Sequence, residues 1–108
     1  MKVIETNIPG LLEITPNVYE DDRGYFYESF NKEIYEGIGI SSEFVQDNQS
    51  LSHTGVLRGL HFQNPPFAQG KLVRVVTGAV LDIALDIRKG SPTYGQHHSV
   101  ELTEENKK

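Results

Sequence analysis

The segment LDIALDIR, Leu81 to Arg88, alternates apolar and other residues without a break. Leu81, Ile83, Leu85 and Ile87 fall on one face of a period-two backbone, and Asp82, Ala84, Asp86 and Arg88 fall on the other. A helix would scatter those four aliphatic side chains around its circumference, so the pattern requires a strand. The charged face has two readings. It can look at solvent, as one side of an antiparallel sheet commonly does. It can instead line an interior, and Asp82 and Asp86 would then be carboxylates that need partners. Lys71 is the nearest candidate counter-charge, across a hairpin at Thr77-Gly78 that would set residues near Asp82 against those near Val73.

The rest of the chain reads in pieces of similar length. Lys2 to Glu5 and Leu11 to Ile14 are brief strands broken by Pro9-Gly10 and Pro16, and Tyr25 to Phe30 (YFYESF) alternates aromatic and other residues. Phe44 to Asn48, Val56 to Gln63, Lys71 to Thr77, Val80 to Ile87 and Gln96 to Leu102 follow as strands. Asn31 to Glu36 is the one helix expected, capped by Asn31 and ended by Gly37 and Gly39. Turns fall at His53 to Gly55, Asn64 to Gly70, Thr77-Gly78 and Lys89 to Tyr94. Many short strands with no long helix between them predict an all-β antiparallel sandwich or barrel, and 108 residues are enough for a single domain over 1–108.

Composition narrows the function classes. Fifteen acidic against ten basic residues give a net charge of -5 with no basic stripe, which argues against nucleic-acid binding. Any phosphate must be held by a few placed arginines. The absence of cysteine excludes disulfides and thiolate zinc sites and suits a cytoplasmic protein. No apolar run approaches the roughly 20 residues that span a bilayer, and MKVIETNIPG lacks a signal-peptide core. There is no G-x-S-x-G elbow, P-loop or G-x-G-x-x-G.

The stretch GVLRGLHFQNPPFAQGKLVRVVTG, Gly55 to Gly78, gathers Arg58, His61 and Lys71. A histidine between Leu60 and Phe62 is ordinarily a packed side chain, yet His61 is also the natural general base near neutral pH. In a regular strand His61 shares a face with Leu57, Gly59 and Gln63, while Arg58 joins Leu60 and Phe62. Convergence of Arg58 and His61 requires a kink, and Gly59 is where it is cheapest. Otherwise Arg58 serves another site or another subunit. His97 and His98 point to opposite faces of one strand, His53 stands in a turn, and no His/Glu set has metal-ligand spacing.

The same stretch resembles the first motif of cupin β-barrels: Gly, five residues, His-x-His, a gap, Glu, six residues, Gly. Gly55 stands five residues before His61, and Lys71 six before Gly78, but Gln63 replaces the second histidine and Lys71 the glutamate. An ammonium at that position repels a divalent metal. More specifically, DDRGYFYESFN (21–31), FVQDNQS (44–50), VLRGLHFQ (56–63), QGKLVRV (69–75), LDIALDIRKGSPTYGQ (81–96) and ELTEENKK (101–108) together resemble the dTDP-4-dehydrorhamnose 3,5-epimerase family, in order and over the whole chain.

That resemblance implies a cupin-type antiparallel barrel or jelly roll. It also implies removal of the protons at C3 and C5 of a dTDP-linked 4-keto-6-deoxyhexose and their return to the opposite face, without metal or cofactor, in dTDP-rhamnose biosynthesis. His61 matches the base, Lys71 the cation beside the ketone oxygen, and Arg58 a residue holding substrate near the base. Arg23, Glu28, Gln46 and Asn48 match nucleotide-sugar contacts, partly across a homodimer. Taken alone, these four read as a turn residue, a solvated strand residue and a polar strand face. The family's chains continue further and there carry the opposing tyrosine acid and the aspartate that orients the histidine. Neither has a match here, and Tyr94 lies in a turn. The chain is therefore expected to be the N-terminal part of a barrel, incomplete, and either to fold poorly alone or to rely on oligomerisation. A single-site epimerase, a sugar ketoisomerase or an inactive nucleotide-sugar binder are the alternatives.

Overall fold

The longest ladder pairs β5, Ala79–Leu85, with β6, His97–Thr103, antiparallel from Ala79 opposite Thr103 to Leu85 opposite His97. The computed structural model describes residues 1–108 and contains two shorter hairpins. β1 (Lys2–Glu5) pairs with β2 (Leu12–Thr15), and β3 (Val18–Asp21) pairs with β4 (Gly24–Tyr27). One helix, α1 (Lys32–Gly37), begins at Asn31, whose side chain accepts a hydrogen bond from the amide of Ile34. The chain divides into a unit of residues 1–30 and 73–108, which holds all six strands, and a unit of residues 31–72, which holds α1.

The connection from β5 to β6 is organised by one carboxylate. Asp86 is 4 % exposed. Its Oδ1 accepts from the backbone amide and Nε of Arg88, and its Oδ2 from Arg88 Nη2, Ser91 Oγ at 2.6 Å and Thr93 Oγ1 at 2.7 Å. Backbone bonds from Asp86 N to Gln96 O and from Gly95 N to Asp86 O extend the ladder past the last strand residues. Five donors on one carboxylate, the Arg88 guanidinium foremost, hold the Asp86 carboxyl far below the usual carboxylate range. The interior reading is therefore the correct one for Asp86, and the solvent-facing reading fails. Its partner is Arg88, two residues along the same face, rather than Lys71.

Strand pairing explains why. β5 takes β6 as its neighbour, so Asp82 lies opposite Val100, and the expected hairpin with the 71–77 segment does not form. The faces of β5 are also reversed from the solvent-facing reading. Asp82, Ala84 and Asp86 are half-buried or buried, whereas Leu81 is 68 % exposed and Ile83, Leu85 and Ile87 about two-fifths or more.

A second polar junction joins β6 to β2. Glu13 receives His98 Nε2 at 2.9 Å on one oxygen and Lys108 Nζ at 2.7 Å on the other. His98 Nδ1 meets Asn7 Oδ1 at 3.2 Å. The Lys108 and His98 contacts lower the Glu13 carboxyl below its ordinary range. Lys108 reaches Glu13 because Thr103 caps the terminal turn, its Oγ1 accepting from the amides of Glu105 and Asn106. The buried side chains Ile8 and Leu102 belong to this unit, and Tyr35 of α1 to the other.

Three expected strands are not ladders here. Residues 44–48, 56–63 and 71–77 pair with no strand of this chain. A period-two pattern assigns faces, but a strand exists only where a neighbour supplies the opposite row of N–H and C=O groups. Val45 and Leu57, 86 % and 92 % exposed, show how little covers the first two of these segments. Conversely β3 was not expected, because only Val18 of its residues VYED is aliphatic and the last two are acidic.

Asp86 leads to a prediction with a defined sign. Its carboxyl titrates lower folded than unfolded, so its stabilisation is full above about pH 4 and is lost as pH falls below that value. In thermal melts followed by circular dichroism, Asp86→Asn is expected to melt below the parent at pH 7. The gap should narrow at pH 3, because acid removes from the parent what the variant already lacks. An equal gap at both values would count against the carboxylate as the organising charge.

Candidate functional site

Five of the seven residues singled out in the sequence, Gln46, Asn48, Arg58, His61 and Lys71, lie in the 31–72 unit; Arg23 and Glu28 lie in the other. In the 31–72 unit the backbone around them is set by turns. The His53 carbonyl accepts the amide of Val56 at 3.2 Å, with Gly55 at φ +84° in the third position. That is the requirement of a type II turn, which a residue with a Cβ meets only at a cost. A second turn, Asn64 O to Phe67 N at 2.9 Å, separates His61 from Lys71.

The turn at 53–56 brings Arg58 back onto the segment before it. Arg58 Nε donates to Ser52 Oγ at 2.8 Å and Nη2 to the Leu51 carbonyl at 3.0 Å. Nothing in the spacing of the sequence singles out Ser52; only the turn makes it a neighbour of Arg58. Between Arg58 and His61, Gly59 has φ +121°, so the backbone departs from extended geometry at the glycine where a kink was cheapest. His61 and Lys71 are exposed and form no hydrogen bond or ion pair within the chain. Gln46 Nε2 donates to Asn48 Oδ1 at 3.2 Å, so these two amides act as one polar pair, two residues apart.

In the other unit, Arg23 stands in the two-residue turn between β3 and β4. Its guanidinium grips Asp21 with Nε at 3.1 and 3.2 Å and Nη2 at 2.5 Å. Asp21 is lowered by this contact and Arg23 raised. Glu28 follows β4, exposed and without a partner. Phe26 and its cross-strand neighbour Tyr19 are both exposed, an aromatic pair beside these residues. An open depression of about 220 Å³ in the same unit is lined by Ile8 to Leu11 and Ala84 to Arg88, away from the catalytic candidates in sequence. No three His, Asp or Glu side chains cluster closely enough to hold a metal ion.

Chemically, the 31–72 unit offers an imidazole and an ammonium that are both unengaged, a guanidinium fixed by neutral acceptors, and a paired amide dyad. An imidazole can accept a proton, and an ammonium can stabilise a developing negative charge on oxygen.

Residues 5–108 match the family described as dTDP-4-dehydrorhamnose 3,5-epimerase. The chain is 56 % identical over 109 residues to the enzyme of that name from Shigella flexneri, covering all of this chain and 60 % of the relative. It superposes at a TM-score of 0.93 and 54 % identity on dTDP-6-deoxy-D-glucose-3,5-epimerase from Legionella pneumophila in complex with dTDP-4-keto-L-rhamnose, covering 98 % of this chain and 56 % of that one. A more distant likeness, TM-score 0.76 at 28 % identity, is to a dTDP complex of a doubly substituted 3'-monoepimerase from Streptomyces bikiniensis. The chain thus spans 60 % or less of the length of these proteins. The all-β architecture is shared with them, as a cupin-type fold of which this chain spans part.

The kink at Gly59 can be tested directly. Gly59→Ala places a Cβ on a backbone at φ +121° and is expected to destabilise by about 1–3 kcal/mol, the usual cost of such a conformation in a non-glycine residue. A Cβ there has ordinary clearance from His61, 3.8 Å to Cδ2, so the cost is conformational rather than steric. Urea unfolding that matches the parent would show that the kink relaxes freely.

Proposed function

The chain belongs to the dTDP-4-dehydrorhamnose 3,5-epimerase family, and on that premise we propose that it epimerises C3 and C5 of dTDP-4-dehydro-6-deoxy-D-glucose, giving dTDP-4-dehydro-L-rhamnose for dTDP-rhamnose biosynthesis. The observation that carries this is the extended identity to the Legionella enzyme, whose structure holds the keto-sugar nucleotide. His61 is the base. A hydrogen on carbon next to a ketone is acidic because the carbanion delocalises onto oxygen, and His61 removes it; inversion then requires a donor on the opposite face, which the resemblance assigns to a tyrosine with no match among these 108 residues. Lys71 supplies a fixed positive charge to the enolate oxygen, an interaction stronger in the transition state than in the ground state. Both groups are unengaged within the chain, so neither must break an internal contact to act.

Arg58 holds the substrate beside the base, while Gln46 and Asn48 present one acceptor and several donors to its hydroxyl and carbonyl groups. Arg23 and Glu28 complete the nucleotide-sugar contacts, which fall partly across a homodimer. The reaction needs no metal, since the ammonium takes the role of the electrophile. We place the protein in the cytoplasm, where its nucleotide-linked substrate is made. The likeness to the 3'-monoepimerase favours a second reading, inversion at one carbon only.

Incubation with dTDP-4-keto-6-deoxyglucose in heavy water, followed by NMR, distinguishes these. Deuterium is expected at both C3 and C5, to disappear in His61→Ala, and to slow by about 10²–10³-fold in Lys71→Met, the loss typical of one oxyanion stabiliser. Label at C3 alone would establish the single-site reaction. Absence of exchange in a folded sample that binds dTDP would leave a nucleotide-sugar binder.

A further inference from the structure

Arg58 carries a positive charge that the chain fixes in place but does not neutralise. Its side chain is exposed, and the chain has an excess of carboxylates, fifteen against ten cations. Yet the two acceptors that hold it, Ser52 Oγ and the Leu51 carbonyl, are both neutral. By contrast Arg23 and Arg88 each close on an aspartate and spend much of their charge there.

The geometry of a guanidinium makes this difference consequential. The group is planar, with five N–H donors in a rigid fork. Nε and Nη2 form one edge, and at Arg58 that edge is occupied by Ser52 and Leu51. The second N–H of Nη2 and both of Nη1 remain, directed away from the occupied edge. Two adjacent outward N–H groups suit two oxygens of one anion. Without the Ser52 hydroxyl the long side chain would sample several rotamers, and its ordering would have to be supplied on binding.

We propose that Ser52 is a positioning residue, which holds the Arg58 guanidinium so that its free end meets the anionic oxygens of the nucleotide sugar's diphosphate. The inference rests on the nucleotide-sugar reading of Arg58 given above and adds a residue to it. Ser52 itself touches no substrate; it acts through Arg58. The His53–Val56 turn is the device that makes the arrangement possible, since it folds the chain so that residues six apart meet side chain to side chain.

The test is a double-mutant cycle read by titration calorimetry with dTDP, using the full chain, with thymidine as the uncharged control. Ser52→Ala is expected to raise the Kd for dTDP about tenfold, roughly one hydrogen bond to a charged group. Ser52→Thr, which keeps the hydroxyl, should restore it, and Ser52→Cys, close in size but a weak acceptor, should not. In an Arg58→Ala background the Ser52 change should have no further effect, and thymidine affinity should be insensitive throughout. Circular dichroism melts coincident with the parent's confirm that each variant is folded. Normal dTDP affinity in Ser52→Ala and Ser52→Cys, with Arg58→Ala impaired, overturns the role of Ser52 and leaves the function intact. Equal losses from the Ser52 change with and without Arg58 also overturn it, because Ser52 would then act by another route. A parent that does not bind dTDP, or an Arg58→Ala that binds it normally, removes the nucleotide-sugar reading of Arg58 and this inference with it.

Discussion

The Asp86 carboxylate is the interaction on which the strand-bearing unit depends. It gathers the guanidinium of Arg88 and the hydroxyls of Ser91 and Thr93, so the eleven-residue connection from Asp86 to Gln96 behaves as a folded object rather than a slack loop. Closing that connection sets the register of β5 on β6, and register decides which face of each strand looks inward. A shift of one residue would bring Leu81 and Ile83 to the covered side and expel Asp82.

Neither junction should be counted as large net stabilisation. Taking a carboxylate out of water costs several kcal/mol, and the donors that surround it largely offset that cost. What such a group supplies is selectivity among arrangements of the connection: a loop conformation that withdrew Arg88, Ser91 and Thr93 would leave a buried charge unpaired, and that is far more costly than a misplaced methyl group.

Much of this was legible in the sequence, and the failures share a cause. The Asn31 cap, the turn at His53 to Gly55, the kink at Gly59 and the β5 alternation follow from local chemistry, and each is present. Partner choice is not local. Lys71 appeared to be the natural counter-charge for the β5 carboxylates because it is near in sequence, but the acid was answered from its own C-terminal side by Arg88, Ser91 and Thr93. Likewise the alternation in Val56 to Gln63 identifies residues capable of forming a strand without stating which strand would receive them. For the site, the family resemblance singled out His61 and Lys71, whereas taken alone His61 reads as an ordinary packed histidine. The contact of Arg58 with Ser52 was hidden, since it depends on a turn rather than on a face.

The ordered ladders and the reactive groups occupy different parts of the chain. All six strands lie in residues 1–30 and 73–108, whereas His61 and Lys71 stand on irregular backbone between turns. On the proposed reading of His61 and Lys71, this division suits proton transfer. A ladder residue has its side-chain direction dictated by the pleat, so neighbouring positions are forced to opposite faces. Arg58 and His61, three apart, could not serve one substrate from a regular strand. A glycine at positive φ between them removes that restriction at a single position, leaving the side chains on either side free to be aimed by their own contacts. At Arg58 the contact is a neutral hydroxyl, which orders the cation while preserving the charge that an anionic substrate would meet.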